Sequence, residues 1–155
     1  MSGKQLNLIG PVRIRVQMVR EDGPDVPHLI RTPEEASRYA DSLRDRDREV
    51  FAAILLNTRN QAIGLHECTI GILNSTLIDA GSVFKAALLA NAAAVILCHQ
   101  HPSGDPTPSS EDLTITRTLI QAGQIMGIKV LDHVILGGSG QYRSLKESGI
   151  VEFAA

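Results

Sequence analysis

The chain has 155 residues, 43% of them hydrophobic and 21% charged, with no tryptophan; that suits one globular core and is too short for two substantial ones. Fifteen Lys and Arg against 17 Asp and Glu leave a net charge of −2, whereas a protein that coats nucleic acid by neutralising phosphates carries a cationic excess. Aromatic residues make up 3%, too few for the stacking platforms of a single-strand binder.

Met1–Gly10 holds one Lys and no apolar block before a small-residue cleavage site, so no secretory leader is expected. Val12–Val19 alternates apolar and polar residues, which predicts a strand with one buried face and Arg13 and Arg15 on the other. With Lys4 and Arg20, these make the first 20 residues the one basic concentration in the chain. Glu21–Pro27 is rich in turn residues, and Thr32-Pro33-Glu34-Glu35 supplies a cap, a proline and acidic residues for a helix from about Pro33 to Asp45. The mixed-charge run Arg44–Glu49 reads as its solvated end.

Val50–Leu56 is predicted as a buried strand, turning through Asn57–Asn60 into a second strand, Ala62–Ile72, with Gly64 and Gly71 as bend points. The pair reads as an antiparallel hairpin. Asp79–Ala93 has helical composition, and Ala93–Cys98 is a short apolar strand running straight into His99. A polar loop to Pro108 follows. Ser109 or Ser110 then caps a helix to about Met126, ended by Gly127; Ile128–Leu136 is a strand and Gly137–Gly140 a flexible turn. This order predicts an α+β fold, a mixed and largely antiparallel sheet flanked by helices. The longest apolar stretch, Ala86–Cys98, is interrupted by Asn91 and falls short of the roughly 20 residues of a bilayer span. Cys68 and Cys98 suggest no disulfide framework; they read as buried, inert thiols in a reduced, cytoplasmic protein.

The chemistry concentrates in His99-Gln100-His101-Pro102-Ser103-Gly104-Asp105-Pro106-Thr107-Pro108-Ser109-Ser110-Glu111-Asp112, an H-x-H-x7-S-x2-D pattern. Histidines two apart at the end of a strand project to one side and can share a metal. Ser109 and Asp112, three apart at a helix start, face the same way, which makes Asp112 a candidate third ligand with the fourth position left to water. The same spacing is that of a capping box, and a carboxylate committed to a helix cap is not easily a metal ligand as well. Asp132-His133 suits either a core strand or a partner for a ligating imidazole; His28 and His66 read as structural.

These segments resemble the RadC-like branch of the JAMM (MPN) metal-dependent protease superfamily over residues 47–149. The stretch from Ala90 through His99-Gln100-His101-Pro102-Ser103-Gly104-Asp105-Pro106-Thr107-Pro108-Ser109 is similar to that branch's HxHPSGDPxPS block, and Leu131-Asp132-His133-Val134-Ile135 to its downstream LDH segment. The resemblance implies an MPN/cytidine-deaminase-like architecture in a single domain, 1–155, with residues 1–46 packed on it as a strand and a helix. It implies one zinc ion on His99, His101 and Asp112, Ser109 holding the transition-state oxyanion, and an upstream glutamate as general acid and base. Glu49, at the start of the first buried strand, is favoured for that role, and Glu67 is the alternative. Gln100 stands where these proteins usually carry Asn, and Ala80-Gly81-Ser82 where they carry Pro-Arg-Glu. The implied reaction is hydrolysis of a peptide or isopeptide-like amide in a peptide or protein substrate. The alternative implied by the branch's association with DNA repair is an accessory role in DNA transactions, with Arg13 and Arg15 as contacts. Residues 1–46 hold no helical hairpin of the DNA-associated kind. The sequence leaves oligomeric state open.

Overall fold

The computed structural model describes residues 10–21, 23, 26–70 and 78–153. The first helix, α1, spans Pro33–Tyr39 and begins on a capping box: the Thr32 hydroxyl accepts from the Glu35 amide, while the Glu35 carboxylate accepts from the amides of Thr32 and Arg31. It ends earlier than the sequence pattern suggests. Ala40 closes it, and a single 3-10 turn, Asp41–Leu43, replaces its last turn. Arg44 is the reason. Rather than fraying into solvent, its guanidinium turns inward and donates to the carbonyls of Gly137 (2.6 Å) and Gln141 (2.7 Å) and to the Ser37 hydroxyl (2.6 Å).

Strands β1 (Val50–Leu56) and β2 (Ala62–Ile70) form the expected antiparallel hairpin; the predicted continuation of β2 through Gly71 and Ile72 lies outside the described residues. Helix α2 (Ala80–Leu89) is capped by Asp79 and leads through Asn91, at φ +53°, to β3 (Ala94–Gln100). Helix α3 (Ser110–Met126) is closed by Gly127 in the left-handed conformation, after which come β4 (Lys129–Leu136) and a short strand that the sequence did not signal, β5 (Tyr142–Ser144). The sheet order is β2-β1-β3-β4-β5, antiparallel at every step except β3 with β4, where α3 makes the crossover. The fold is α+β, as the sequence predicts.

Every residue of β1 and β3 is buried because both faces of the sheet are covered. On one face Phe51, Ala53, Leu55, Val95 and Leu97 pack with Val83 and Phe84 of α2 and Ile115 and Leu119 of α3. On the other, Val50, Ala52, Ile54, Ile96 and Cys98 pack with Ala36, Ala40 and Leu43. Phe51 and His99 are register partners, so the period of two along each strand sets Glu49 and His101 on the same face as His99. Along β4 that period is broken. Val95 pairs with Val130, but Ile96 pairs with Asp132, so Leu131 is bulged and the downstream parity inverts. His133 thereby faces α3 and the histidines, and Asp132 faces the opposite side.

The predicted strand Val12–Val19 is not formed. Residues 10–21 carry no secondary structure, and Val12, Ile14 and Val16 are 86%, 84% and 65% exposed; an alternating segment becomes a strand only when an edge pairs with it, and none of the described strands does. Further along, the chain does meet the sheet, where His28 and Ile30 bond to Ala62 and Asn60 beside β2. Both cysteines are free; burial raises the Cys68 thiol to about 12 and pushes Cys98 up further, consistent with inert thiols. Among the described residues no helix is long and apolar enough to cross a membrane.

Candidate metal centre

The C-terminal end of β3 and the first turn of α3 bring three predicted residues together. His99 Nε2 lies 3.0 Å from His101 Nε2, Asp112 Oδ1 is 3.2 Å from His99 Nε2, and Asp112 Oδ2 is 3.2 Å from His101 Nε2. Donors about 2.0–2.1 Å from one tetrahedral ion stand roughly 3.3–3.4 Å apart, so this spacing suits a small cation. Glu49 closes the cluster from the β1 side: one of its carboxylate oxygens and a ring nitrogen of each of His99 and His101 lie within 4.8 Å of one another.

The hydrogen-bond network fixes the imidazole tautomers. The single hydroxyl proton of Thr116 goes to the Asp112 carbonyl (2.5 Å), so the contact of the same oxygen with His133 Nδ1 (2.6 Å) is one in which His133 donates. Burial, reinforced by the neighbouring His99, holds the His133 pKa well below its ordinary value, so the ring is neutral and its Nε2 carries a lone pair. That lone pair accepts from His99 Nδ1–H (2.8 Å), and His99 Nε2 is left bare toward the cluster. His101 arrives at the same state by another route, donating Nδ1–H to the Asp105 carbonyl (2.8 Å). Two imidazole lone pairs and a carboxylate therefore converge, an all-acceptor set that only a proton or a cation can join.

Ser109 is the helix cap, and its hydroxyl accepts from the Asp112 amide (3.1 Å) while Asp112 Oδ2 accepts from the Ser109 amide (2.8 Å). The expected conflict between capping and ligation does not arise. An ionised carboxylate offers about four lone-pair sites, and the cap occupies one. Burial opposes ionisation of Asp112, but a proton that joins this set between its carboxylate and the Nε2 atoms of His101 and His99 outweighs burial and holds the carboxyl well below the usual range. The same contact with Asp112 raises the His101 pKa against burial. Ser109 accepts through a lone pair and so keeps its own O–H as a donor.

The two candidate glutamates separate in space. Glu49, half-buried, sits immediately before β1 rather than as its first residue. Glu67 lies on β2 at the surface, in an ion pair with Arg46 (2.7 Å), and among the described residues the metal-competent group contains Glu49 and not Glu67. His28 rests edge-on against Tyr39, and His66 is on β2 away from the cluster. Ser82, in the Ala80-Gly81-Ser82 departure, donates its amide to the Asp79 carboxylate as part of the α2 cap. Two contributors escaped sequence reasoning. Thr116 was legible in principle, lying one helical turn after Asp112; the Asp105 carbonyl was not, since a main-chain acceptor leaves no mark on residue type.

A layered α+β domain that carries two oriented imidazoles and two carboxylates at one end of its central strands is a JAB-type domain with a metal-competent centre. The chain belongs to the RadC-like JAB domain family, whose sequence profile matches residues 30–150. It is 43% identical over 156 residues to the UPF0758 protein of Desulforamulus reducens, covering 95% of this chain and 68% of the relative. Over 124 residues it is 48% identical to the UPF0758 protein of Moorella thermoacetica, covering 79% and 54%, and over 134 residues 43% identical to that of Geobacillus thermodenitrificans, covering 86% and 59%. The chain thus spans between about half and two-thirds of the length of these relatives.

Proposed function

We propose that this domain is a zinc-dependent amide hydrolase of the JAMM type, acting on a peptide or isopeptide bond. The supporting observation is the convergence of the His99 and His101 Nε2 atoms with the Asp112 carboxylate at 3.0–3.2 Å, with both tautomers set by acceptors behind them. These donors fit zinc, which when bound supplies Lewis acidity and lowers the pKa of its water to about 7. Glu49 takes a proton from the attacking water and returns it to the amide nitrogen as the C–N bond breaks, so the leaving group departs as a neutral amine. Ser109 donates its free O–H to the carbonyl oxygen as that atom becomes negative, and Asp112 keeps the serine placed through the cap. No side-chain nucleophile is needed.

The test is metal content. Protein purified without chelator is expected to hold one zinc per chain, lost in His101→Ala together with thermal stability. Absence of stoichiometric zinc, with His101→Ala melting like the parent, overturns the proposal.

A further inference from the structure

Gln100 stands between the two histidines in sequence but on the opposite face of β3, 2% exposed. Its side chain reaches across to the chain entering β1: Nε2 donates to the Arg48 carbonyl (2.6 Å) and Oε1 accepts from the Val50 amide (2.9 Å). The two bonds bracket Glu49, one on each side. They fall where the main-chain ladder stops. The last register pair of β1 with β3 is Phe51 with His99, and beyond it the His101 amide donates instead to Leu136 on β4 (3.1 Å). From that point the backbone of β3 is committed to β4, and the amide of Gln100 replaces it as the partner of β1.

We propose that Gln100 is the positioning residue for Glu49, an inference that rests on the role assigned to Glu49 above. By holding the peptide groups before and after Glu49, it fixes the backbone angles there and so the direction in which the carboxylate leaves the chain. A full glutamine arm is used; asparagine is one methylene shorter, about 1.5 Å, and does not reach both groups without a backbone shift. An apolar residue of equal volume fills the space and places nothing.

The experiment uses the full chain loaded with Co2+ in place of zinc and reads the visible absorption bands of the ion, which respond to the carboxylate beside it. The parent, Glu49→Gln, Gln100→Met and the double variant are compared. Each is expected to take up one Co2+; Glu49→Gln and Gln100→Met shift the bands in the same direction, and the double variant matches Glu49→Gln alone. A purely structural glutamine produces its shift in both backgrounds. The inference is overturned by parent-like bands in Gln100→Met, or by an equal shift when Glu49 is already Gln. If Gln100→Met does not fold, Gln100→Asn carries the same comparison, with a smaller shift expected and parent-like bands overturning the inference. Failure of the parent to bind Co2+, or parent-like bands in Glu49→Gln, overturns the reading of the metal centre itself and the inference with it.

Discussion

Removing the His133 side chain deletes the acceptor that His99 Nδ1–H relies on and frees the imidazole to present the wrong nitrogen. His133→Ala is therefore expected to weaken zinc affinity about 10–100-fold, as measured by competition against a chromophoric chelator. Thr116→Val acts in the same direction and less, since His133 loses only the acceptor behind it. Proton competition gives a second residue-scale expectation. The hydrogen bond with Asp112 raises the His101 pKa in the metal-free protein, so a proton must leave that ring before a metal can bind. Zinc affinity should rise with pH through that raised value, from above the ordinary 6.5 of histidine, and then level off. A pH-independent affinity between pH 6 and 8 would contradict it. At this scale the sequence was most legible: residue type and spacing singled out His99, His101, Ser109 and Asp112, because side chains with period two and one-turn spacing must share a face.

Elements place those residues through close backbone approaches that only small side chains permit. A Cβ on Gly137 would stand 2.7 Å from the Gly104 carbonyl oxygen and 2.9 Å from Pro106, so Gly137→Ala pushes away the loop whose Asp105 carbonyl orients His101. Weaker zinc binding is expected, with a smaller change in the melting of the core. Gly123 lets α3 settle on the start of β4; an added Cβ would meet the Ile128 carbonyl oxygen at 2.4 Å. Gly123→Ala should cost about 1–3 kcal/mol in urea denaturation. Arg44 ties α1 to the Gly137–Gln141 turn from a side chain only 12% exposed. Its replacement by Ala takes the donor from the part-buried Gly137 carbonyl, while the Gln141 carbonyl keeps the Gly137 amide, and should cost about 1–3 kcal/mol in the same measurement. The charge run Arg44–Glu49 reads as solvent-facing because composition alone does not reveal which of several arginines finds buried acceptors.

For the molecule as a whole, the alternation at Val12–Val19 does not contribute to the folded core, since those apolar side chains face solvent. Replacing Val12, Ile14 and Val16 together with Ser is expected to move the unfolding free energy by no more than about 0.5 kcal/mol; a larger loss would place this segment in the core. The net charge of −2 sets a matching expectation for nucleic acid. With exposed Arg13 and Arg15 as the available basic contacts of that segment, any duplex binding should be confined to low salt and disappear on their replacement with Ala.

By itself the sequence determined the α+β class, the β1–β2 hairpin, the limits of α3 and the H-x-H-x7-S-x2-D set, because each follows from local periodicity, capping chemistry and glycine placement. Which glutamate joins the histidines was decided by strand register, since Glu49 shares a face with the register partner of His99 while Glu67 is held by Arg46. The fate of the Asp132-His133 pair was decided by one bulged residue, Leu131, which inverts the parity of β4 and turns the imidazole toward His99. Whether Val12–Val19 became a strand depended on a partner edge. Register, bulges and edges are relations between distant segments, and a single chain's pattern of residue types does not encode them locally.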